Sequence, residues 1–428
     1  MPEPHPSLSY LEPQPPLVGQ TLYLGGELGP DSRIYCIPGH ASKVLMIDPN
    51  TDKCVQIGPD FIGKFKWLRG IRASNDIIYG LPCHSDKVLR IDATAVVHWK
   101  PKDDLSFSEL DQRVKITTLS IPYDDFFQDK DECEKERNMI WKYHGGSISP
   151  IDGCIYCIPQ SATRVLKINP QTDECSFVGP ELPGKYKWYG GIPAKDGAIY
   201  GVAHNSPSVL RICPNKNNVN NVQISLHGDL GSESHQWHGG GVSSDGTIVC
   251  IPNNVSTVLL IRPCEGDEIE PTLQIIGGHD VVGTGIHTGR SDRKYKYLGS
   301  VSDENCNVYC LPSGTDRVLR INTSTLKVDE IGPSLYESGM ERMKQNKWQN
   351  GFFSKLENCA YAIPLASETV LRIDINGDEK GHPIVTTMGL PHPVNGLAKW
   401  EGGVMASNGC MYCMPNNFKK VLKITPQI

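Results

Sequence analysis

The hydrophobic positions of this chain fall in short clusters, and the clusters recur in a fixed order. One unit reads "WYGGI" (188–192), "IYGVA" (199–203) and "VLRI" (209–212). Segments such as "CVQIGP" (54–59), "CSFVGP" (175–180) and "VDEIGP" (328–333) supply a fourth cluster. Runs this short, rich in β-branched and aromatic residues and bounded by Gly, Pro, Asn and Asp, predict strands. The intervening "KDG", "SDG" and "PNTD" have the chemistry of tight turns. The four clusters are therefore strands a to d of one antiparallel unit.

The unit recurs eight times. Strand a opens on Tyr23, Trp67, Tyr143, Trp188, Trp237, Tyr297, Trp348 and Trp400. Strand c opens on Val44, Val88, Val165, Val209, Val258, Val318, Val370 and Val421. The closest of these valines, Val44 to Val88 and Val165 to Val209, are 44 residues apart, the length of one four-stranded propeller blade. The fold predicted is all-β, an eight-bladed propeller. The last unit stops after strand c, at "VLKITPQI", so its fourth strand must come from elsewhere. "PPLVGQTLYLGG" (15–26) offers a d-like ending followed by the start of blade 1, and is expected to complete blade 8 and close the ring. Residues 1–14 then form a proline-rich tail and 15–428 a single propeller. Gly-Gly or a near version of it follows each aromatic one residue on and allows innermost strands to crowd the axis, and the aromatic fills the gap between blades.

The cadence "DGxIYxxPxxxxxVLxIDPxT" resembles the β-propeller superfamily that includes YVTN-type, NHL-type and virginiamycin B lyase-type repeats, over nearly all of 15–426. It lacks the Gly-His and Trp-Asp pairs of WD repeats, and its glycines precede the hydrophobic end of strand a, unlike those of kelch repeats. The resemblance implies a blade pattern and no chemistry. The lyases of that superfamily are metal-assisted, and no stretch here carries their catalytic His and Glu.

Composition narrows the setting. A net charge of −6 over 428 residues gives no reason to expect nucleic acid or an anionic membrane as partner. No apolar run reaches the ~18 residues of a spanning helix. The start, "MPEPHPSLSYLEPQPP", lacks the basic and apolar regions of a signal peptide. Fifteen cysteines, an odd number, then indicate reduced thiols and a cytoplasmic location. "CIYC" (154–157) and "CMYC" (410–413) have the spacing of metal or redox pairs, but on a strand positions i and i+3 face opposite ways. Packing is the expected role. No metal or other cofactor is expected.

Three sets of residues are candidates for function. Lys66, Lys142, Lys187, Lys296, Lys347 and Lys399 precede the aromatic in six blades. They either cap backbone carbonyls or pair with carboxylates, or they ring the channel mouth and attract a small anionic ligand. The residue after the aromatic varies, and His144, Tyr189 and His238 stand there in consecutive blades, suited to acid–base work. His40, His84 and His204 lie in b–c loops on the same face. Finally, insertions at 122–141, 277–293 and 333–347 should rise on that face, with Phe126, Phe127, Tyr336, Met340 and Met343 offering apolar surface to another protein. A fourth, near 93–113, belongs to the opposite rim. "GTGIHTG" (283–289) lacks the Lys-Ser/Thr of a phosphate loop, and His279 and His287 in that insertion are weak metal candidates. The reading that follows is a monomeric, non-catalytic scaffold binding another protein through these loops. The alternative is a small-molecule binder, or a lyase or hydrolase, working at the channel mouth.

Overall fold

A computed structural model describes residues 6–97, 107–231, 233–266, 270–283, 295–343, 345–392, 394 and 396–427. They form eight four-stranded antiparallel sheets in a ring. Blade 1 has strands Tyr23–Leu28, Ile34–Pro38, Val44–Asp48 and Lys53–Ile57, and blades 2 to 7 repeat this order. Strand b is buried at every position in blades 1 and 3 because another blade covers each of its faces, so it reads as an unbroken apolar run.

Ring closure occurs, with a different segment from the one expected. The fourth strand of blade 8 is Ser7–Leu11, paired with Val421–Thr425 from Ser7↔Thr425 to Leu11↔Val421. It lies inside the stretch read as a tail. "SLSYL" alternates as a one-sided strand should, and Tyr10 stacks on Trp400 at 6.1 Å and meets Phe418 edge-on at 5.1 Å. Residues 12–22 run alongside blade 1, where the Gln14 amide donates to the Cys54 carbonyl and Leu17 and Leu22 are buried. A d-like "LVG" ending was not enough to mark a strand.

The aromatic at the head of strand a seals each joint between blades. Trp67 packs among Tyr35, Ile37, Val44 and Met46 of blade 1. The indole N–H of Trp67, Trp188, Trp237, Trp348 and Trp400 donates to the carbonyl just before or beside the start of strand c, at 2.7–2.9 Å. Tyrosines of strand b are anchored likewise. Tyr156 and Tyr200 donate to Asp152 and Asp196 in their own a–b turns.

The glycine pairs have a geometric cause. In all eight blades the a–b ladder slips just after the aromatic, as in Trp237↔Pro252 then Gly240↔Cys250. Two residues after the aromatic the backbone is left-handed, with φ of +84° at Gly145 and +69° at Gly190. A Cβ on Gly145 would stand 2.9 Å from the Gly190 Cα of the next blade. Only glycine meets both demands without strain.

Cys154 and Cys157 pack in different clusters on opposite sides of blade 3, as do Cys410 and Cys413 in blade 8. Among the described residues no helix is long and apolar enough to cross a membrane.

Candidate functional site: the mouth and bore of the central channel

The b–c turns and the approaches to strand a meet on one rim. The His84 amide donates to the Phe65 carbonyl, and the Lys142 amide to that of Cys83 in the blade before. This handshake fixes the position of every side chain around the mouth.

The lysines are internal, as in the first of the two alternatives: they cap backbone carbonyls. All six are buried, between 1% and 4% exposed. The Lys66 ammonium donates to the carbonyls of Gly39, Ala41 and Gly63 at 2.8, 2.8 and 3.3 Å. Lys187 donates to those of Gln160, Ala162 and Gly184. Lys142, Lys296, Lys347 and Lys399 bind the preceding blade's turn in the same way. Burial pushes Lys66, Lys142, Lys187 and Lys347 down to about 8. Each is a clamp between blades. In blade 5 a neutral residue does the same work: Gln236 donates through Nε2 to the Ser206 and Gly231 carbonyls. Replacing Lys187 by Met removes the donor of the Ala162 and Gly184 carbonyls, while Gln160 keeps the Lys187 backbone N–H, and should cost about 2–3 kcal/mol. Lys187→Gln, copying blade 5, should keep much of that loss at bay. Urea denaturation of the two variants checks the order.

His144, Tyr189 and His238 do converge. Tyr189 lies 3.9 Å from the His144 ring and 4.6 Å from the His238 ring, centroid to centroid. His204, on the b–c turn of blade 4, covers the other side of Tyr189 at 4.0 Å, and Gln160 donates to the Tyr189 hydroxyl at 2.9 Å. His40 and His84 instead join a second ring cluster with Phe65 and Trp141, which rests on Leu24, Leu68 and Cys83. The mouth thus has a polar wall at blades 3–5 and an apolar wall at blades 1–2.

Burial, reinforced by Arg69 and neighbouring histidines, holds His144 far below the usual imidazole range. His238 falls to about 4, mainly by burial and then by Arg69, and His204 falls to about 2 by burial and by His238 and His235. These rings are neutral at pH 7. They are hydrogen-bonding groups there, and each neutral imidazole keeps the acceptor nitrogen that a general base needs; burial raises the Tyr189 phenol as well. Polar atoms with no hydrogen-bond partner among the described residues recur around the mouth: His144 Nδ1, Gln160 Oε1, His204 Nε2 and both amide atoms of Asn253 on this wall, and His40 Nε2, His84 Nε2, Ser313 Oγ and Asn416 Oδ1 in the b–c turns of other blades.

Below the rings the bore holds two adjoining cavities of about 340 and 290 Å³. His144, Tyr189, His238 and Ser300 line the first, and Leu24, Leu68, Phe352, Ile363 and Glu401 the second. Arg69, Asn350 and Gly351 border both. Glu401 accepts from Gln349 Nε2 at 2.8 Å, and burial raises its carboxyl to about 7 against the pull of Arg69. It is the group here whose proton is exchangeable near neutrality. The variable position after the aromatic contained Glu401, but Arg69 and Asn350 escaped the sequence reading. Their only signal was the departure of "LRG" and "QNG" from Gly-Gly.

The insertions fold back on the blades. In 122–141 the helix Lys130–Arg137 is capped by Asp129, and Tyr123, Phe127 and Cys133 are buried beside Phe177. Phe127 is therefore withdrawn from any partner, while Phe126 stays 38% exposed against Phe177 and Arg164. In 333–347 the buried Glu341 binds Ser367 and Thr369 of blade 7, and Met340 packs on the core; Met343 is half-buried and Tyr336 is exposed. Gly277–Gly283 of the third insertion is described, with Val282 buried; His287 and most of "GTGIHTG" lie outside the described residues. Among the described residues no group of three or more His, Cys, Asp or Glu side chains is placed to hold a metal.

No protein-family model matches the chain, and no curated protein matches it in sequence. Among solved structures it is similar to virginiamycin B lyase from Staphylococcus aureus, with a TM-score of 0.53, 11% identity, and coverage of 98% of this chain and 99% of that one. A streptogramin B lyase gives 0.51 and 11%, with 98% of each chain covered. An auxiliary nutrient binding protein from Bacteroides thetaiotaomicron gives 0.43 and 10%, covering 96% of this chain and 70% of that one. At these identities the likeness is one of fold, an eight-bladed propeller of the virginiamycin B lyase type.

Proposed function

We propose that this protein binds a small organic molecule at the mouth of its central channel, between the polar rings of blades 3–5 and the apolar wall of blades 1–2. The observation that carries this reading is the cluster of buried polar atoms without partners beside the Tyr189 stack. A buried polar group left unpaired costs about 1–3 kcal/mol, and native folds satisfy nearly all of them. Several in one wall, next to cavities of ligand size, are what a site made for hydrogen bonding to a guest requires. A neutral imidazole offers one donor and one acceptor, so the wall suits a ligand with both.

The scaffold reading draws on less. Of the five apolar residues expected to meet another protein, Phe127 and Met340 pack inward and Met343 is half-buried. A second reading, that the guest is also acted on by proton transfer, is favoured by Glu401. Its carboxyl is poised near 7 in the same bore, where a general acid or base works best. The lyases that share the fold are consistent with chemistry in such a channel.

A thermal-shift screen against a pooled metabolite library tests the main reading. Compounds that raise the midpoint of the wild type should lose that effect in His238→Ala. A library without a hit, or hits that shift both proteins equally, would contradict it.

A further inference from the structure

Eight strands deliver a left-handed residue to the narrowest ring of the channel, and six of the eight are glycine: Gly25, Gly145, Gly190, Gly239, Gly299 and Gly402. The other two are Arg69, at φ +66°, and Asn350, at φ +60°. An arginine in that region is held at a cost of roughly 1–2 kcal/mol that glycine at the same turn avoids, whereas asparagine is among the few residues that adopt it readily. Packing does not explain these two side chains. The Cβ clash at this ring comes from the residue that faces it: Gly25 would meet the Arg69 backbone and Gly299 that of Asn350. Arg69 and Asn350 themselves stand in the open bore.

What the two groups touch is equally informative. Neither side chain makes a hydrogen bond to any described residue, and no carboxylate of a described residue lies within ion-pair distance of Arg69. The nearest opposing charge is Glu401, which acts on Arg69 through space and itself sits with its proton affinity raised. Among the described residues lining the two cavities Arg69 is the one cation, because the lysines are closed into the blade joints. The other ionisable groups facing it, His144 and His238, are neutral. A guanidinium presents a planar fork of donors matched to two oxygens of an anion, and the Asn350 amide adds N–H donors.

We propose that Arg69 and Asn350 form an oxyanion-binding subsite, which takes the carboxylate or phosphate group of the channel's small-molecule ligand. This rests on the reading of the channel as a ligand site and names the chemical class of its guest. The cation offered to that anion is Arg69 in the bore, and none of the six buried lysines. Glu401 opposes an anion on Arg69 whenever it is ionised, so removing its charge strengthens the subsite.

Substitution by glycine makes the test clean, since glycine is the residue that this ring prefers. Arg69→Gly should melt no lower than the wild type. Benzoate and phenyl phosphate serve as probes, with benzamide as the uncharged counterpart and sodium chloride to match ionic strength, all followed by thermal shift and calorimetric titration. The expected result is that at least one anion binds the wild type, that its affinity falls at least tenfold in Arg69→Gly and measurably in Asn350→Gly, and that it rises in Glu401→Gln at pH 8. Benzoate and phenyl phosphate separate a carboxylate guest from a phosphate one. The proposal is overturned if neither anion binds the wild type, or if either binds Arg69→Gly as tightly. A neutral library compound that binds the wild type and Arg69→Gly alike, but not His238→Ala, would sink the anion subsite and leave the channel site standing.

Discussion

A chain beginning at residue 12 is expected to lose most of its folding stability, although it keeps every residue of strands a to c in all eight blades. Ser7–Leu11 is the fourth strand of blade 8, and its register spans all five residues of Val421–Thr425. Its removal strips the cover that Leu8, Tyr10 and Leu11 give to Trp400, Phe418 and Val421. It also moves the open edge of blade 8 from this outer strand to Val421–Thr425. Four or five net hydrogen bonds at about 1 kcal/mol each, plus about 25 cal/mol per Å² of apolar surface exposed, give a loss on the order of 5 kcal/mol or more. That is comparable with the whole stability of an ordinary domain. Urea denaturation should show the fall, and size-exclusion chromatography should show association through the new edge. Ser9→Ala, on the outward face of the same strand, should leave both unchanged. A truncated chain as stable as the full one would mean that the ring does not close through this strand.

The second large effect is an acid weakness centred on the channel. His84, His144, His204 and His238 all have folded proton affinities below the usual imidazole value, chiefly because burial disfavours their charge. In the unfolded chain they titrate near 6.5. Between about 6.5 and 4 the unfolded state therefore binds more protons, so stability is complete above that window and falls as pH drops through it. Each enclosed imidazole contributes up to about 1.4 kcal/mol per pH unit, less where the ring is partly open to the bore. Glu401 works in the opposite direction, because its raised carboxyl binds a proton in the folded state at a pH where the unfolded one does not. Four histidines outweigh it. The denaturation midpoint should decline by several kcal/mol equivalents from pH 7 to 4.5, and His204→Gln should flatten the decline. A flat profile would show that water reaches these rings and lets them charge in place.

Much of this architecture is written in the sequence. The alternation of aromatic, glycine pair, "IYxIP" and "VLxI" specifies strand type, order and number, because each cluster must fill the same joint in every blade. What resisted reading is equally specific. "SLSYL" has the right alternation for a strand, but prolines flank it and no repeat neighbour precedes it, so its partner 400 residues away is invisible locally. The lysines left two readings open, caps or a cationic rim, because their position is legible and their direction is not. The ammonium turns back onto carbonyls of the preceding blade, a contact that exists only once two blades are side by side. His144, Tyr189 and His238 were found because variation against a repeated frame singles them out. Arg69 and Asn350 carry the same kind of signal one residue further on, and its meaning depends on a left-handed backbone that spacing alone does not reveal. His204 belongs to a b–c turn and joins the stack only through ring curvature.

The central claim is that the mouth of the channel is a binding site for a small molecule. The most direct test is a crystal structure of the protein with the compound giving the largest thermal shift. The account predicts that compound inside the bore, within hydrogen-bond reach of the His204 and Asn253 side chains and stacked near Tyr189. Ordered compound on an outer face, with only water between the Tyr189 stack and Arg69, would contradict it.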